Sequence, residues 1–391
     1  MRITDVKVTT LAVPDPPLRN SWGVHEPYAL RNLVEVETDE GLVGLGETSG
    51  GEAMAQEIRG AARRVVGADP FQIERLRLLV GNPRAFAPIE VACLDVIGRE
   101  TGRPVHDVLG GRFRDRVEFS AYLFYKYAGD DPWGEVMSPE RMLGLATRFR
   151  ERHGFRCHKV KGGVLPPDEE IETLRLLRRA FPRDRLRIDP NAVWSVETSI
   201  RVAKALEPLD LEYLEDPTAG ITGMALVAQR THIPLSTNMI VTTFAHIPEA
   251  VRAGAVQVVL GDHHGWGGLR AFQALGQICH TFGLGLSQHS NNHLGVTMAA
   301  MIHVAAAIPN LLFASDTHYP WQEEDILKGG KLPIVDGHME VPKGPGLGVE
   351  LDRDQVARLA ELFAKRPAAG RDDVAEMRRR DPSWLPFRPR W

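Results

Sequence analysis

Apolar and polar positions alternate over residues 2–13 and 31–38, the second stretch reading Arg31-Asn32-Leu33-Val34-Glu35-Val36-Glu37. A period of two is that of a strand with one face buried. Asp39-Glu40-Gly41 offers a turn, and Leu42-Val43-Gly44-Leu45-Gly46-Glu47 predicts the next strand, so a small antiparallel sheet is expected. Between its first two strands runs a Pro-rich loop, residues 14–27, holding Asn20, Trp22 and His25. Such a loop connects strands, and one with a Trp and a His can also cover a pocket. From Glu52 to about Gly102 the apolar spacing lengthens to three and four residues, the helical period. Residues 1 to about 115 therefore read as an α+β unit.

A different rhythm begins near Val117. Short apolar runs that end in a polar residue alternate with amphipathic segments of helical length. The runs are Val117–Phe124, Cys157–Lys161, Leu186–Asp189, Leu211–Glu215, Pro234–Asn238, Val256–Asp262, Leu284–His289 and Leu311–Asp316. Asp168–Arg179, Val196–Leu206 and Leu269–Phe282 carry helical periodicity between them. Eight such units predict repeated βα elements and a TIM-type (β/α) barrel. An open doubly wound sheet is the alternative, and it lacks its Gly-rich phosphate fingerprint here. Past about residue 343 a Pro-Lys-Gly-Pro-Gly-Leu-Gly run marks a linker. One further helix is predicted over Asp354–Lys365. The stretch Arg378 to Arg390 is locally basic and reads as a solvated tail.

In a barrel of this kind the chemistry sits at the carboxyl ends of the strands. Those ends carry Lys159 and Lys161, then Asp189, Glu215, Asn238, Asp262, His289 and Asp316. Lys159 and Lys161 are two apart on a strand, so they project from one face. Mutual repulsion and partial burial are expected to lower their pKa toward that of a base. Asp189, Asn238 or Asp262 taken singly reads equally well as a helix cap. Capping does not call for lysine, glutamate or histidine, and the series as a whole points to one polar rim. Asp189, Glu215 and Asn238 offer only oxygen donors from three neighbouring strands, the preference of Mg2+. Asp262 and His289 end the next two strands and suit an orienter–base pair. His263 and His264 follow Asp262 directly and read as rim residues.

Composition narrows the class. The chain has 391 residues, 43% hydrophobic and 25% charged, with a net charge of -4. That balance favours a soluble enzyme with a small-molecule substrate over a nucleic-acid or membrane partner. Cys93, Cys157 and Cys279 are scattered in apolar segments and form neither a disulfide framework nor a zinc pattern, which suits a cytoplasmic setting. A homo-oligomer is the default expectation.

The ladder of strand-end residues resembles the enolase superfamily, where a Lys or His base works with Mg2+. Asn238 within Ser236-Thr237-Asn238-Met239-Ile240 and the phrase Gln288-His289-Ser290-Asn291-Asn292-His293 are similar to the glucarate dehydratase subgroup. Asp316-Thr317-His318, Trp321-Gln322-Glu323 and Gly370-Arg371-Asp372-Asp373 extend the likeness. The resemblance implies an α+β capping domain over residues 1–115, completed by residues 350–391, and a catalytic barrel over 116–349. It implies Lys161 as base on one face and Lys159 as its charge neighbour. His289, oriented by Asp262, would be base or acid on the other face, and Asp189, Glu215 and Asn238 would hold Mg2+. Asn20, His25, Tyr122, Phe124, Asn291, His318 and Arg371 match substrate positions, with Arg371 expected to face a second carboxylate bidentately. The implied reaction dehydrates an acid sugar, D-glucarate or a related aldarate, to a keto-deoxy aldarate. A racemase or epimerase of a hydroxy acid, or a non-catalytic partner of an active paralogue, are the alternatives. The segment Arg84 to Glu90 lacks the threonine that the family brings to substrate, and the first loop carries Trp22.

Overall fold

The computed structural model describes residues 1–365 and 370–391. Its first strands are β1 (Ile3–Pro14), β2 (Arg19–Asn20), β3 (Gly23–Val24), β4 (Tyr28–Thr38) and β5 (Val43–Ser49). β4 pairs antiparallel with both β1 and β5, and β2 and β3 make a small hairpin within the Pro-rich loop. Helices α1 (Glu52–Val65), α2 (Ile73–Val80), α3 (Pro83–Thr101) and α4 (Val105–Val108) follow. The start of α3 is written in its sequence. Asn82 caps it by accepting from the Arg84 N–H at 2.9 Å, and Pro83 fills the first turn, where no N–H is needed. β5 lies directly on this helix. A Cβ at Gly44 would fall 1.9 Å from the Ala92 carbonyl oxygen, and one at Gly46 2.0 Å from that of Pro88, so only glycine allows the contact.

The remaining elements alternate. They run β6 (Arg116–Phe124), α5 (Pro139–His153), β7 (Cys157–Lys161), α6 (Pro167–Ala180), β8 (Arg185–Asp189), α7 (Val196–Leu206), β9 (Tyr213–Glu215) and α8 (Gly220–Ala228). Then come β10 (Leu235–Thr237), α9 (Ile247–Ala253), β11 (Val258–Gly261), α10 (His263–Trp266), α11 (Leu269–Thr281), β12 (Gly285–Gln288), α12 (Gly295–Ala307) and β13 (Ser315–Thr317). The strands pair in parallel in the order β13-β6-β7-β8-β9-β10-β11-β12. A bridge between Leu286 and Leu311 nearly closes the ring. All eight expected runs contain a strand, though several strands are shorter than the apolar runs that predict them. A parallel ladder marks only residues with partners on a neighbouring strand, and the flanking apolar residues pack without pairing.

Besides the β2–β3 hairpin, further elements among the described residues lie outside the sequence expectation. β14 (His338–Glu340) pairs antiparallel with β6, and α10 is a single turn after Asp262. After α13 (Arg353–Lys365), α14 (Asp373–Arg380) forms with Asp372 as its cap, accepting from the Ala375 N–H at 2.9 Å.

The basic segment is no solvated tail. The Arg390 N–H donates to the Val193 carbonyl at 2.7 Å, and the Trp391 carbonyl accepts from the Ser195 N–H at 2.6 Å. Arg390 also donates to the carbonyls of Gly163 and Ser21 at 3.3 and 3.0 Å, while Arg388 donates to Ser21 Oγ at 2.8 Å and stacks on Trp22. Its end is thus docked at the barrel mouth by Arg388 and Arg390, while Arg378, Arg379 and Arg380 remain exposed. No helix among the described residues is long and apolar enough to cross a membrane. The three cysteines are buried and free.

Candidate active site

Strand register sets the site. Phe124, Lys161 and Asp189 are paired across β6, β7 and β8, and one layer deeper Tyr122, Lys159 and Arg187 are paired likewise. Lys159 Nζ lies 2.6 Å from Asp316 Oδ2, 2.5 Å from Glu215 Oε2 and 3.9 Å from Asp189 Oδ2. Lys161 Nζ lies 2.5 Å from Asp189 Oδ2. The Tyr122 ring sits 4.7 Å from the first ammonium and 5.5 Å from the second.

This geometry corrects the expected pKa of the pair. Burial does push Lys159 down, but Asp316 and Glu215 beside it outweigh burial and hold its ammonium well above the ordinary lysine value. Burial and Lys159 both push Lys161 down, and Asp189 more than offsets them, so this ammonium is raised as well. The repulsion read from the spacing is present. It is overruled by carboxylates that arrive from β8, β9 and β13.

Asp189 Oδ1 accepts from the Asn191 backbone and side-chain N–H groups, both at 2.9 Å. Glu215 Oε1 accepts from Asn238 Nδ2 at 2.9 Å, and the Asn238 N–H donates to Asp216 Oδ2 at the same distance. Burial raises Glu215 well above the carboxylate range, and Asp189 and Asp316 add to the effect against Lys159. Burial, with Asp189 nearby, likewise pushes Asp216 up to about 7. Only if all of Asp189, Glu215, Asp216 and Asp316 were ionised would they outnumber the two ammoniums, and the raised values of Glu215 and Asp216 show that the lysines alone do not support that state. An all-oxygen donor set short of positive charge fits a divalent cation such as Mg2+.

On the other side of the rim, His289 Nδ1 lies 3.3 Å from Asp262 Oδ2. Asp262 also serves His264, whose Nδ1 lies 2.8 Å from Asp262 Oδ1. Burial pushes Asp262 up, but His264 and His289 outweigh it and hold the carboxyl well below its usual range. His264 and His263 are buried rather than exposed at the rim, and His264 still lines a cavity beside Asp262 and His289. Adjacency to Asp262 hid this, because their other partners lie far off in sequence.

A cavity of about 340 Å³ opens above these groups. Lys161, Asn238 and His289 line it, with Asn20, His25, Tyr122, Phe124, Asn291, His318 and Arg371, all seven residues expected at substrate. Lys159, Asp189 and Glu215 lie behind its wall. Asp262 lines a second cavity of about 340 Å³ that shares Asn238 and His289 with the first and also contains Arg84. Trp22, Asn191, Ser290 and Asp373 are lining residues that the sequence did not place at substrate.

Arg371 departs from expectation. Its Nε and Nη2 donate to the two oxygens of Asp373 at 2.6 and 2.8 Å, and Nη1 donates to Asn292 Oδ1 at 3.0 Å. The bidentate edge therefore faces Asp373, two residues along the chain, and only the remaining Nη hydrogens are left for a ligand. Asn292 Nδ2 passes the contact on to His318 Nε2 at 2.8 Å. Asp15, which no motif flagged, lies 3.3 Å from His318 Nε2 and 2.8 Å from His25 Nδ1.

The turn after β7 is held by one carboxylate. Glu170 accepts the N–H groups of Gly163, Val164 and Leu165 at 2.9, 2.9 and 3.0 Å, and burial pushes it up to about 7. A value raised in the folded state contributes stability that is full below the ordinary 4.5 and lost as pH rises through about 7. Glu170→Gln puts an amide NH2 against these donors. It is expected to cost about 1–3 kcal/mol and to flatten the fall of Tm with pH between those two values. Thermal melts across that pH range check it, and parallel curves for the two proteins would count against the assignment.

Comparison with known proteins follows the same lines. Residues 3–110 match the mandelate racemase / muconate lactonizing enzyme N-terminal domain, and residues 141–355 match the enolase C-terminal domain-like family. A probable glucarate dehydratase from Streptomyces coelicolor is 47% identical, over all of this chain and 99% of that protein. A crystal structure of an enolase from Thermobispora bispora complexed with magnesium and formate superposes with a TM-score of 0.98 at 48% identity over the whole of both chains. One from Mycobacterium smegmatis complexed with tartrate also gives 0.98 at 48% identity, over all of this chain and 98% of the other. The capping sheet and the nearly closed parallel barrel have their counterpart there: this chain belongs to the enolase superfamily, with a mandelate racemase/muconate lactonizing enzyme-type N-terminal domain.

Proposed function

We infer that this protein is a Mg2+-dependent acid-sugar dehydratase acting on D-glucarate or a related aldarate. One observation carries the reading. Lys161 from β7 and His289 from β12 line the same cavity, and the oxygen donors Asp189, Glu215 and Asn238 end the strands between them. The likeness to a probable glucarate dehydratase and to an enolase that binds tartrate supports a hydroxylated acid as substrate.

Asp189, Glu215 and Asn238 are the residues that would hold Mg2+, which when bound polarises a substrate carboxylate and competes with the two ammoniums for the carboxylates. Lys161 would be neutral once Asp189 is drawn to the cation and the Lys161 ammonium has given up a proton. In that form it takes the proton from the carbon next to that carboxylate when it points to the β7 side; His289 takes it when it points to the β12 side. Lys159 sits behind with positive charge to offset the charge that develops on the substrate. The electron pair of the broken C–H bond becomes a C=C bond as the neighbouring C–O bond breaks. A proton from His289 lets the hydroxyl leave as water, and the enol product tautomerises to a keto-deoxy aldarate. His25, His318 and the free hydrogens of Arg371 meet the far end of the substrate.

Bases on two faces also permit proton exchange without elimination, which is the epimerase reading. A screen of D-glucarate, L-idarate and galactarate with and without Mg2+, read by semicarbazide detection of 2-keto product, separates the two. Mg2+-dependent ketone from at least one diacid, abolished by EDTA, is the expected result. Deuterium uptake into recovered substrate with no ketone would favour epimerisation, and neither outcome on any acid sugar would overturn the proposal.

A further inference from the structure

His264 is clamped between two acceptors. Its Nδ1 lies 2.8 Å from Asp262 Oδ1, and its backbone N–H donates to the same oxygen at 3.0 Å. Its Nε2 lies 3.0 Å from the carbonyl oxygen of Glu47. Neutral imidazole has one N–H and one bare nitrogen, whereas a backbone carbonyl and an ionised carboxylate only accept. Either neutral tautomer therefore sets a nitrogen lone pair against an oxygen lone pair. The Thr297 hydroxyl, 3.3 Å from Nε2, could donate there only by leaving the nearer carbonyl facing a bare nitrogen.

Among the described residues Asp262 pairs with His264 and His289, while Arg84 lines the same cavity without an ion pair to it. His263 stacks at 4.0 Å between ring centroids, and His293 meets His264 edge-on at 5.1 Å. Burial holds both well below the ordinary histidine value, with His264 and Arg31 pushing in the same direction. Arg31 on β4 approaches through Thr297 but pairs with Glu47, its Nε 2.7 Å from Glu47 Oε1. His289 touches the other oxygen of Asp262. Arg31 with Glu47 balances, and His264 with Asp262 balances, if His264 carries the second proton.

We propose that His264 is protonated on both ring nitrogens and ion-paired with Asp262, so that the acid–base unit is the array His289–Asp262–His264. His264 is then a positioning residue. It shares the charge of Asp262, which given to His289 alone would hold a proton on His289 and impair it as a base. The array rests on the acid–base role of His289 proposed above. Because the second acceptor is a carbonyl of β5, the protonation of a barrel group depends on the capping sheet being seated.

The test has two arms on the full-length enzyme. In protein labelled with 15N in the histidine rings, His264 is assigned through its backbone connection and by difference from His264→Gln. Both of its ring nitrogens are expected in the protonated state at pH 8, with and without Mg2+. A single protonated nitrogen at pH 8 overturns the proposal, and this readout needs no substrate. In the kinetic arm, His264→Gln is expected to lower kcat about 10–100-fold with KM changed by about twofold or less. The acidic limb of its kcat/KM profile should move up by about one pH unit. A limb that stays in place in a variant with wild-type circular dichroism also overturns the proposal. Wild-type protein that turns over no acid sugar would sink the functional reading, while the ring nitrogens would still decide the state of His264.

Discussion

Lys161→Ala is expected to lower kcat for 2-keto product about 10³- to 10⁴-fold while the protein stays folded. The effect is large because nothing on that wall can replace the amine. Lys159 is fully buried behind the cavity, and its ammonium is engaged by Asp316 and Glu215. Tyr122 and Phe124, the neighbours on β6, are too weakly basic. Folding should survive, since Asp189 keeps both Asn191 hydrogen bonds and Lys159 at 3.9 Å. KM should change little, because the distal contacts from His25, His318 and Arg371 are untouched. Semicarbazide kinetics beside a thermal melt measure it. Activity within tenfold of wild type would remove Lys161 from the chemistry. Deuterium exchange that persists in the variant would show His289 working alone from its own face.

Lys159→Met should act on stability first. The side chain is fully buried, and its ammonium stands among Asp189, Glu215 and Asp316, each also buried. Removing one partner from a buried ion cluster leaves the opposite charge uncompensated, which costs about 3–5 kcal/mol. Methionine fills the volume, so the loss measures charge and not a cavity. Two signatures distinguish this from general damage. Burial already raises Glu215 far above the usual carboxylate value. Raised carboxyls stabilise while protonated, so the variant should recover stability as pH falls through the acid range and lose it as pH rises. Saturating Mg2+ should also raise Tm more in the variant than in the wild type, by mass action on a site that now lacks its nearest competing cation. Chemical denaturation and thermal melts at two pH values, with and without Mg2+, give all of these quantities. A loss below about 1 kcal/mol would mean that the lysine is dispensable to the cluster.

The strands and their order could be read from the chain because each βα unit repeats a local pattern. The polar residue closing each apolar run falls at the barrel mouth for the same reason, which is why Lys161, Asn238 and His289 were found. What could not be read depends on partners distant in sequence. The ammoniums are raised and not lowered because Asp316 lies 157 residues from Lys159 and Asp189 lies 28 residues from Lys161. His264 passed for a rim residue because its second acceptor, Glu47, is 217 positions away. Asp15 stood in a loop whose prolines explained themselves, with His318 303 positions off. Arg371 stands in the cavity wall as expected, but its bidentate edge is engaged by Asp373, only two residues along.

The basic segment that returns to the barrel mouth also bears on the order of synthesis. Ser21 and Trp22 form the turn of the early β2–β3 hairpin, and Arg388 and Arg390, which hold them, are among the last residues described. Arg371 and Asp373 come equally late and stand in the wall of the substrate cavity. A chain emerging from the ribosome can complete every barrel strand and still have an open, half-walled pocket. Competence for ligand should therefore appear in one step, once residues 370–391 have emerged and docked. Nascent chains stalled before that point would carry the proposed metal ligands and bases yet bind no substrate.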